Sequence, residues 1–92
     1  MKRFVIEREV PGVGGLASGE LAVTVAKSNE ALRALKGRAQ WLHSYVTDDK
    51  TFCVYLAEDE RAVAEHARLS GLPANKITAV RGVVDALTGQ VL

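Results

Sequence analysis

Residues 38–57 read RAQWLHSYVTDDKTFCVYLA, and this stretch decides the fold. Two runs rich in aromatic and β-branched residues, 38–46 and 51–57, flank a short polar break at 47–50. Such runs around a polar break predict two antiparallel strands joined by a tight turn. The stretch therefore predicts a β-hairpin in the middle of the chain.

A helix is predicted on each side of this hairpin. The first spans about 19–36, with Ser18 as its N-cap and Gly37 just past its C-terminus. The second spans about 59–70 and is closed by Gly71. The core-facing residues of the first helix recur at the helical period and are Leu21, Val25, Ser28, Leu32 and Leu35.

Two further strands are predicted near the ends of the chain, at 4–10 and 77–84. Between the first strand and the first helix, residues 11–15 match no phosphate-binding glycine motif and are interpreted as a turn. The resulting order, β-α-β-β-α-β, predicts a single ferredoxin-like domain of the α+β class over residues 1–92. We expect a four-stranded antiparallel sheet with both helices on one face.

The composition bounds the class of protein. Apolar residues make up 48% of the chain and charged residues 25%, with a formal net charge of +1 and no block of one sign. Nothing resembles the basic footprint of a nucleic-acid binder, and no apolar run approaches the ~20 residues that a membrane span needs. Cys53 is the single cysteine, and Glu7 interrupts the apolar start at once. We therefore expect a cytoplasmic protein with no nucleic-acid or membrane partner.

The strands predict a sheet that is apolar on both faces. One face would carry Val5 and Glu7 of the first strand together with Cys53 and Tyr55 of the third. Because the chain has no spare element to cover this face, we predict a homodimer in which two such faces enclose a cavity, a dimeric α+β barrel. The opposite face, assigned to the helices, carries Phe4, Ile6, Phe52, Val54 and Leu56.

The residues of the second strand that reach this predicted cavity depend on the register of the hairpin. A two-residue turn places Ser44 there beside Tyr55. A bulge or one more turn residue places His43 and Tyr45 there instead. Both alternatives remain open, so Ser44, Tyr45 and Tyr55 are all predicted to line the cavity.

Four residues are candidate metal ligands. His66 lies near the centre of the apolar arc of the second helix, where it can hydrogen-bond Tyr55 or strand backbone, or bind a metal. With Cys53, His43 and Glu7 it offers imidazole, thiolate and carboxylate ligands, which suit nickel or zinc. No CxxC, HExxH or HxH spacing accompanies them. Alone, Cys53 is more typical of a small buried apolar residue, and His66 of a satisfied core histidine.

The predicted faces limit how these ligands can combine. His66 is expected on the helix side of the sheet, whereas Cys53 and Glu7 are expected on the cavity side. They can share an ion only at a strand end or a sheet edge, where side chains from both layers meet. Otherwise a loosely binding surface site that uses His43 remains.

Four stretches of the chain resemble a known bacterial family, and they are Ser28-Asn29, Trp41–Ala57, Glu65–Arg68 and Gly71–Ala74. That family is the domain of unknown function 4242, which is also described as nickel-binding-protein-like. The resemblance runs from the first strand to the fourth and implies the dimeric ferredoxin-like barrel. Cys53, Tyr55 and His66 match family positions, and nickel is the metal that the resemblance implies.

The expected function is therefore that of a non-enzymatic homodimer that binds either a metal ion or a small ligand. Nickel is the first candidate metal and zinc the second. The alternative is a cofactor-free enzyme of the dimeric α+β barrel type, similar to a small monooxygenase, acting on a small organic substrate in the cavity. A purely structural module is a third interpretation, which a cavity filled by side chains would favour.

Overall fold

The predicted hairpin forms from β2, Ala39–Val46, and β3, Lys50–Ala57. The structure is a computed structural model that describes residues 1–90. β1, Lys2–Glu9, pairs antiparallel with β3 on one side and with β4, Lys76–Ala79, on the other. The strand order β2-β3-β1-β4 is the one that the ferredoxin-like prediction requires, and the fold prediction is confirmed.

Two predicted elements end early. α1 covers Ser18–Ala34, so Ala17 and not Ser18 occupies the N-cap position, and the helix stops before Gly37. β4 ends at Ala79, whereas the sequence predicted a strand as far as Val84. β4 lies at an edge of the sheet and pairs only with β1, so it ends where its pairing with β1 ends. The sequence predicts a short tail over residues 85–92, and the last two of these, 91 and 92, lie outside the described part of the chain.

α2, Glu60–Ser70, begins and ends on local signals. The Asp59 carboxylate accepts a hydrogen bond of 2.9 Å from the backbone amide of Ala62, which satisfies a free donor of the first turn. At the other end Gly71 adopts the left-handed conformation, φ 73°, as the sequence predicted. Within residues 1–90 neither helix is long and apolar enough to cross a membrane.

The faces of β3 are reversed relative to the prediction. Directly opposed residues of antiparallel strands share a face, and β1 places Phe4 opposite Tyr55 and Ile6 opposite Cys53. All four are buried in the core with residues of both helices, so the placement of Cys53 and Tyr55 away from the helices was wrong. The side of the sheet away from the helices, here called the open face, carries Val5, Glu7, Phe52, Val54 and Leu56.

A bulge in β2 selects between the two hairpin registers. The pairing of β2 with β3 shifts between Trp41 and His43, and beyond the shift Ser44 lies opposite Cys53. Ser44 therefore faces the helices. His43 and Tyr45 are exposed on the open face, with their rings edge to face at a centroid distance of 5.2 Å.

The loop before α1 is seated on the turn of the hairpin. Val13–Gly15 form a 3₁₀ turn, and the Gly14 amide donates to the Asp48 carbonyl at 3.0 Å. A Cβ atom on Gly14 would lie 2.7 Å from the Thr47 carbonyl oxygen, so the close approach requires glycine. This contact holds the loop over one end of the sheet, where a cavity begins.

Candidate functional site

A buried polar network lies where α1, α2 and β3 meet. His66 has no exposed surface, and its Nε2 lies 3.2 Å from the Ser28 carbonyl oxygen and 3.1 Å from Ser28 Oγ. The Tyr55 hydroxyl lies 3.2 Å from Ser28 Oγ and 3.5 Å from His66 Nε2. A carbonyl oxygen can only accept, so His66 Nε2 carries the ring proton and donates it. The prediction that His66 is buried is confirmed, and Tyr55, one of its predicted partners, lies beside it, although the Ser28 carbonyl is the acceptor of its ring proton.

Burial favours the neutral forms of His66 and Tyr55. It lowers the pKa of His66, the nearby Arg8 guanidinium lowers that pKa further, and the hydrogen bond to the Ser28 backbone opposes both. Burial also raises the pKa of Tyr55 above its ordinary value, against a lowering by the Ser28 hydrogen bond. At neutral pH the network is therefore an uncharged set of hydrogen bonds that fixes how α1 and α2 pack on β3.

A cavity of about 310 Å³ opens beside this network, between α1, the 3₁₀ turn and the helix side of the sheet. Its volume lies at the lower end of the range found for small-molecule sites. The polar side chains that line it belong to Arg8, Thr24, Ser28, Ser44, Thr51 and Tyr55. Its apolar walls, which form most of the surface, come from Val10, Val13, Leu16, Leu21, Val25, Trp41, Val46, Leu72 and Pro73.

Arg8 brings the only charge among the residues that line this cavity. Arg8 is 2% exposed, and its Nη1 donates to the Pro73 carbonyl at 2.7 Å. Nε and Nη2 are buried and have no hydrogen-bond partner within residues 1–90. In that part of the chain the only salt bridge joins Arg68 to Glu65 on the surface of α2, so no carboxylate neutralises Arg8.

Sequence reasoning missed Arg8, although a signal was present. Phe4, Ile6 and Arg8 alternate along β1, and residues two apart in a strand share a face. An arginine that continues a core-facing series is unusual, because charged residues are almost never fully buried unless they are paired. Ser28 was placed on the correct face of α1, but its contact with His66 could not be read from spacing.

The four predicted metal ligands are divided between the two sides of the sheet. Cys53 and His66 are buried on the helix side, where the Cys53 thiol lies 3.6 Å from the Thr51 hydroxyl. Glu7 and His43 lie on the open face. No three His, Cys, Asp or Glu side chains of the described chain come together as a metal site. Within residues 1–90, the side chains of a single copy therefore do not fit a metal ion.

The three predicted cavity-lining residues are divided in the same way. Tyr55 and Ser44 line the cavity on the helix side, which is not the side expected from the sequence. Tyr45 is 62% exposed and belongs to the open face. The cavity is thus formed within one copy, by α1, the 3₁₀ turn, the helix side of the sheet and the segment after α2 that holds Leu72 and Pro73.

Comparison with known proteins identifies relatives of this chain. The model of the family described as nickel responsive protein SCO4226-like matches residues 4–80. The crystal structure of SCO4226 from Streptomyces coelicolor A3(2) is similar with a TM-score of 0.69, over 86% of this chain and 95% of that chain. The two chains are 17% identical, so this likeness concerns the fold. None of the curated proteins matches the chain.

Proposed function

This chain belongs to the SCO4226-like family of nickel-responsive proteins, and from that premise we propose that it is a non-enzymatic homodimer that binds nickel where the open faces of two copies meet. The family ties the protein to a metal in general terms. The more specific proposal rests on the positions of the candidate ligands, because Cys53 and His66 are buried on the helix side of the sheet whereas the other two lie on the open face. Of the four candidate ligands, only the two on the open face, Glu7 and His43, are accessible, and one copy offers too few of them.

The open face has the composition of a surface that associates with a copy of itself. Val5, Phe52, Val54 and Leu56 are only partly buried there, and Tyr45 is 62% exposed. The helices α1 and α2 pack against the other side of the sheet. A contiguous apolar patch favours association, and a twofold axis lets the same patch serve both partners.

A second copy would also complete the metal site. One open face presents a single imidazole, from His43, and a carboxylate, from Glu7. A twofold axis doubles both ligands, and a set of nitrogen and oxygen donors suits nickel(II). The buried ligands, Cys53 and His66, take no part in this arrangement.

Calorimetric titration of metal-free protein with nickel, together with sedimentation at micromolar concentration, tests the proposal. We expect twice the chain mass and nickel binding with a defined stoichiometry, weakening as the pH falls through the histidine range because the ligands must be deprotonated. His43→Ala and Glu7→Gln should each weaken binding. Cys53→Ser is the matched control, since it removes a ligand on the other side of the sheet, and it should bind nickel as the wild type does.

A monomer in the presence of nickel would refute the homodimer. Loss of binding in Cys53→Ser with retention in His43→Ala would move the site to the helix side and refute the proposed position. Zinc, titrated in parallel, tests the second metal that the residue types allow.

Small-ligand binding is the second candidate function, and the cavity beside Arg8 favours it. The same cavity is the place where a substrate would lie if the protein were a cofactor-free enzyme, which stays a prediction.

A further inference from the structure

Arg8 has a free edge that matches one class of chemical group. The guanidinium is planar, and its Nε–H and one Nη2–H point the same way along one edge. Nη1 is held by the Pro73 carbonyl, whereas Nε and Nη2 are buried and unpartnered within residues 1–90. Two parallel N–H groups match the two oxygens of a carboxylate in a bidentate pair.

The surroundings of Arg8 leave its charge without compensation. The face of the Tyr55 ring lies 6.0 Å from the guanidinium carbon, at the limit of a cation–π contact. Burial favours the neutral form of Tyr55, so its phenol supplies no negative charge, and the imidazole of His66 has none to supply. A buried cation without a partner is strongly disfavoured, and an anion that enters the cavity would remove that cost.

The size and the apolar walls of the cavity determine what the rest of the ligand can be. A volume of about 310 Å³ with mostly apolar walls fits a small alkyl or aryl group that carries few further polar atoms. We propose that this cavity binds a small apolar carboxylate, with the carboxylate paired to the Nε/Nη2 edge of Arg8 and the apolar body between α1 and the sheet. Both nitrogens are buried, so this pairing requires the Arg8 side chain to turn until that edge faces the cavity. This proposal rests on the small-ligand function given above and names its ligand class.

A carboxylate fits better than a phosphate. Arg8 is the single cation among the residues that line the cavity. One guanidinium neutralises a carboxylate fully, but leaves a dianionic phosphate with an uncompensated charge in an apolar site. The single positive charge therefore selects a singly charged head group.

The protein contains its own reporter for this site. Trp41 is the only tryptophan of the chain and lines the cavity, with its Nε1 donating to Ser44 Oγ at 2.9 Å. A ligand that fills the cavity replaces solvent beside the indole. Trp41 emission should therefore shift in a saturable way when ligand is added.

Titration of the intact protein with octanoate, octanamide and octyl phosphate, followed by Trp41 emission, tests the proposal. Octanoate should bind more tightly than its neutral amide by about tenfold or more, since the charge-assisted pair is lost in the amide. Arg8→Met should remove this preference, and Arg8→Lys should reduce it because lysine has no bidentate edge. Arg61→Met, which removes an exposed arginine from α2, should bind as the wild type does.

Three results would overturn the proposal in distinguishable ways. If none of the probes changes Trp41 emission, the small-ligand function fails with it. If octanoate and octanamide bind equally well to the wild type, the cavity binds apolar molecules but Arg8 does not select carboxylates. If octyl phosphate binds most tightly, the head group is wrong. The wild-type comparison stands even where Arg8→Met does not fold.

Discussion

Replacing His66 by alanine should be among the most destabilising single changes in the protein. The imidazole is fully buried and packs on Tyr55, with ring centroids 5.0 Å apart. Its loss removes the hydrogen bond to the Ser28 carbonyl, worth about 1 kcal/mol, and leaves a space that the packed core fills only in part, which costs about 1–3 kcal/mol more. The free energy of unfolding should therefore fall by about 2–4 kcal/mol. A larger loss is not expected, because Ser28 Oγ and the Tyr55 hydroxyl remain within 3.2 Å of each other.

Urea unfolding at a fixed protein concentration, followed by circular dichroism and Trp41 emission, measures this loss. His66→Gln keeps an N–H donor near the position of Nε2 and should lose about half as much. Arg61→Ala, at an exposed position of the same helix, is the control and should stay within about 0.5 kcal/mol of the wild type. If His66→Ala were as mild as this control, the packing of α2 on β3 described above would be refuted.

Two further changes test the same core and the loop beside the cavity. Acidification should destabilise the protein. The contribution of neutral, buried His66 to the free energy of unfolding is fully present above the ordinary histidine pKa of 6.5 and is lost as the pH falls towards the lower pKa of His66 in the folded state. In that range the unfolded chain binds a proton that the folded chain does not. His66→Gln should flatten this pH dependence in urea unfolding, and an unchanged slope would assign it to another group. Gly14→Ala should lower the free energy of unfolding by about 1–3 kcal/mol, because the new Cβ atom would lie 2.7 Å from the Thr47 carbonyl oxygen. Gly15→Ala, whose Cβ atom meets nothing within 4 Å, is its matched control, and an equal effect of the two would show that the loop is not seated on the hairpin turn.

The order of the elements could be predicted because most boundaries carry a local chemical signal. Gly71 ends α2 in the left-handed conformation, and the carboxylate of Asp59 caps its start. The polar turn at 47–50 likewise identifies the hairpin. Each of these signals depends on neighbours along the chain, so no knowledge of distant contacts is needed to read it. The weakest boundary, the end of β4, is the one set by pairing with another strand.

The faces of β3 could not be predicted for the same reason. Both alternating sets of this strand are apolar, since Phe52, Val54 and Leu56 alternate with Cys53 and Tyr55. Local hydrophobicity therefore gives no preference, and pairing with β1 decides which set is buried. The error carried over to the site, because it placed the cavity residues on the wrong side of the sheet.

The alternation of β1 connects the two proposed sites. Glu7 and Arg8 are neighbours in sequence, but consecutive residues of a strand point to opposite faces, so the acid lies on the open face and the cation lines the cavity. The apolar pairs that Phe4 and Ile6 form with β3 hold this register, and a slip of one residue would exchange the two charges. The strand thus keeps the proposed metal ligand and the proposed carboxylate receptor on opposite sides of one layer. It follows that nickel and octanoate should bind independently, so that saturation with either leaves the affinity for the other unchanged.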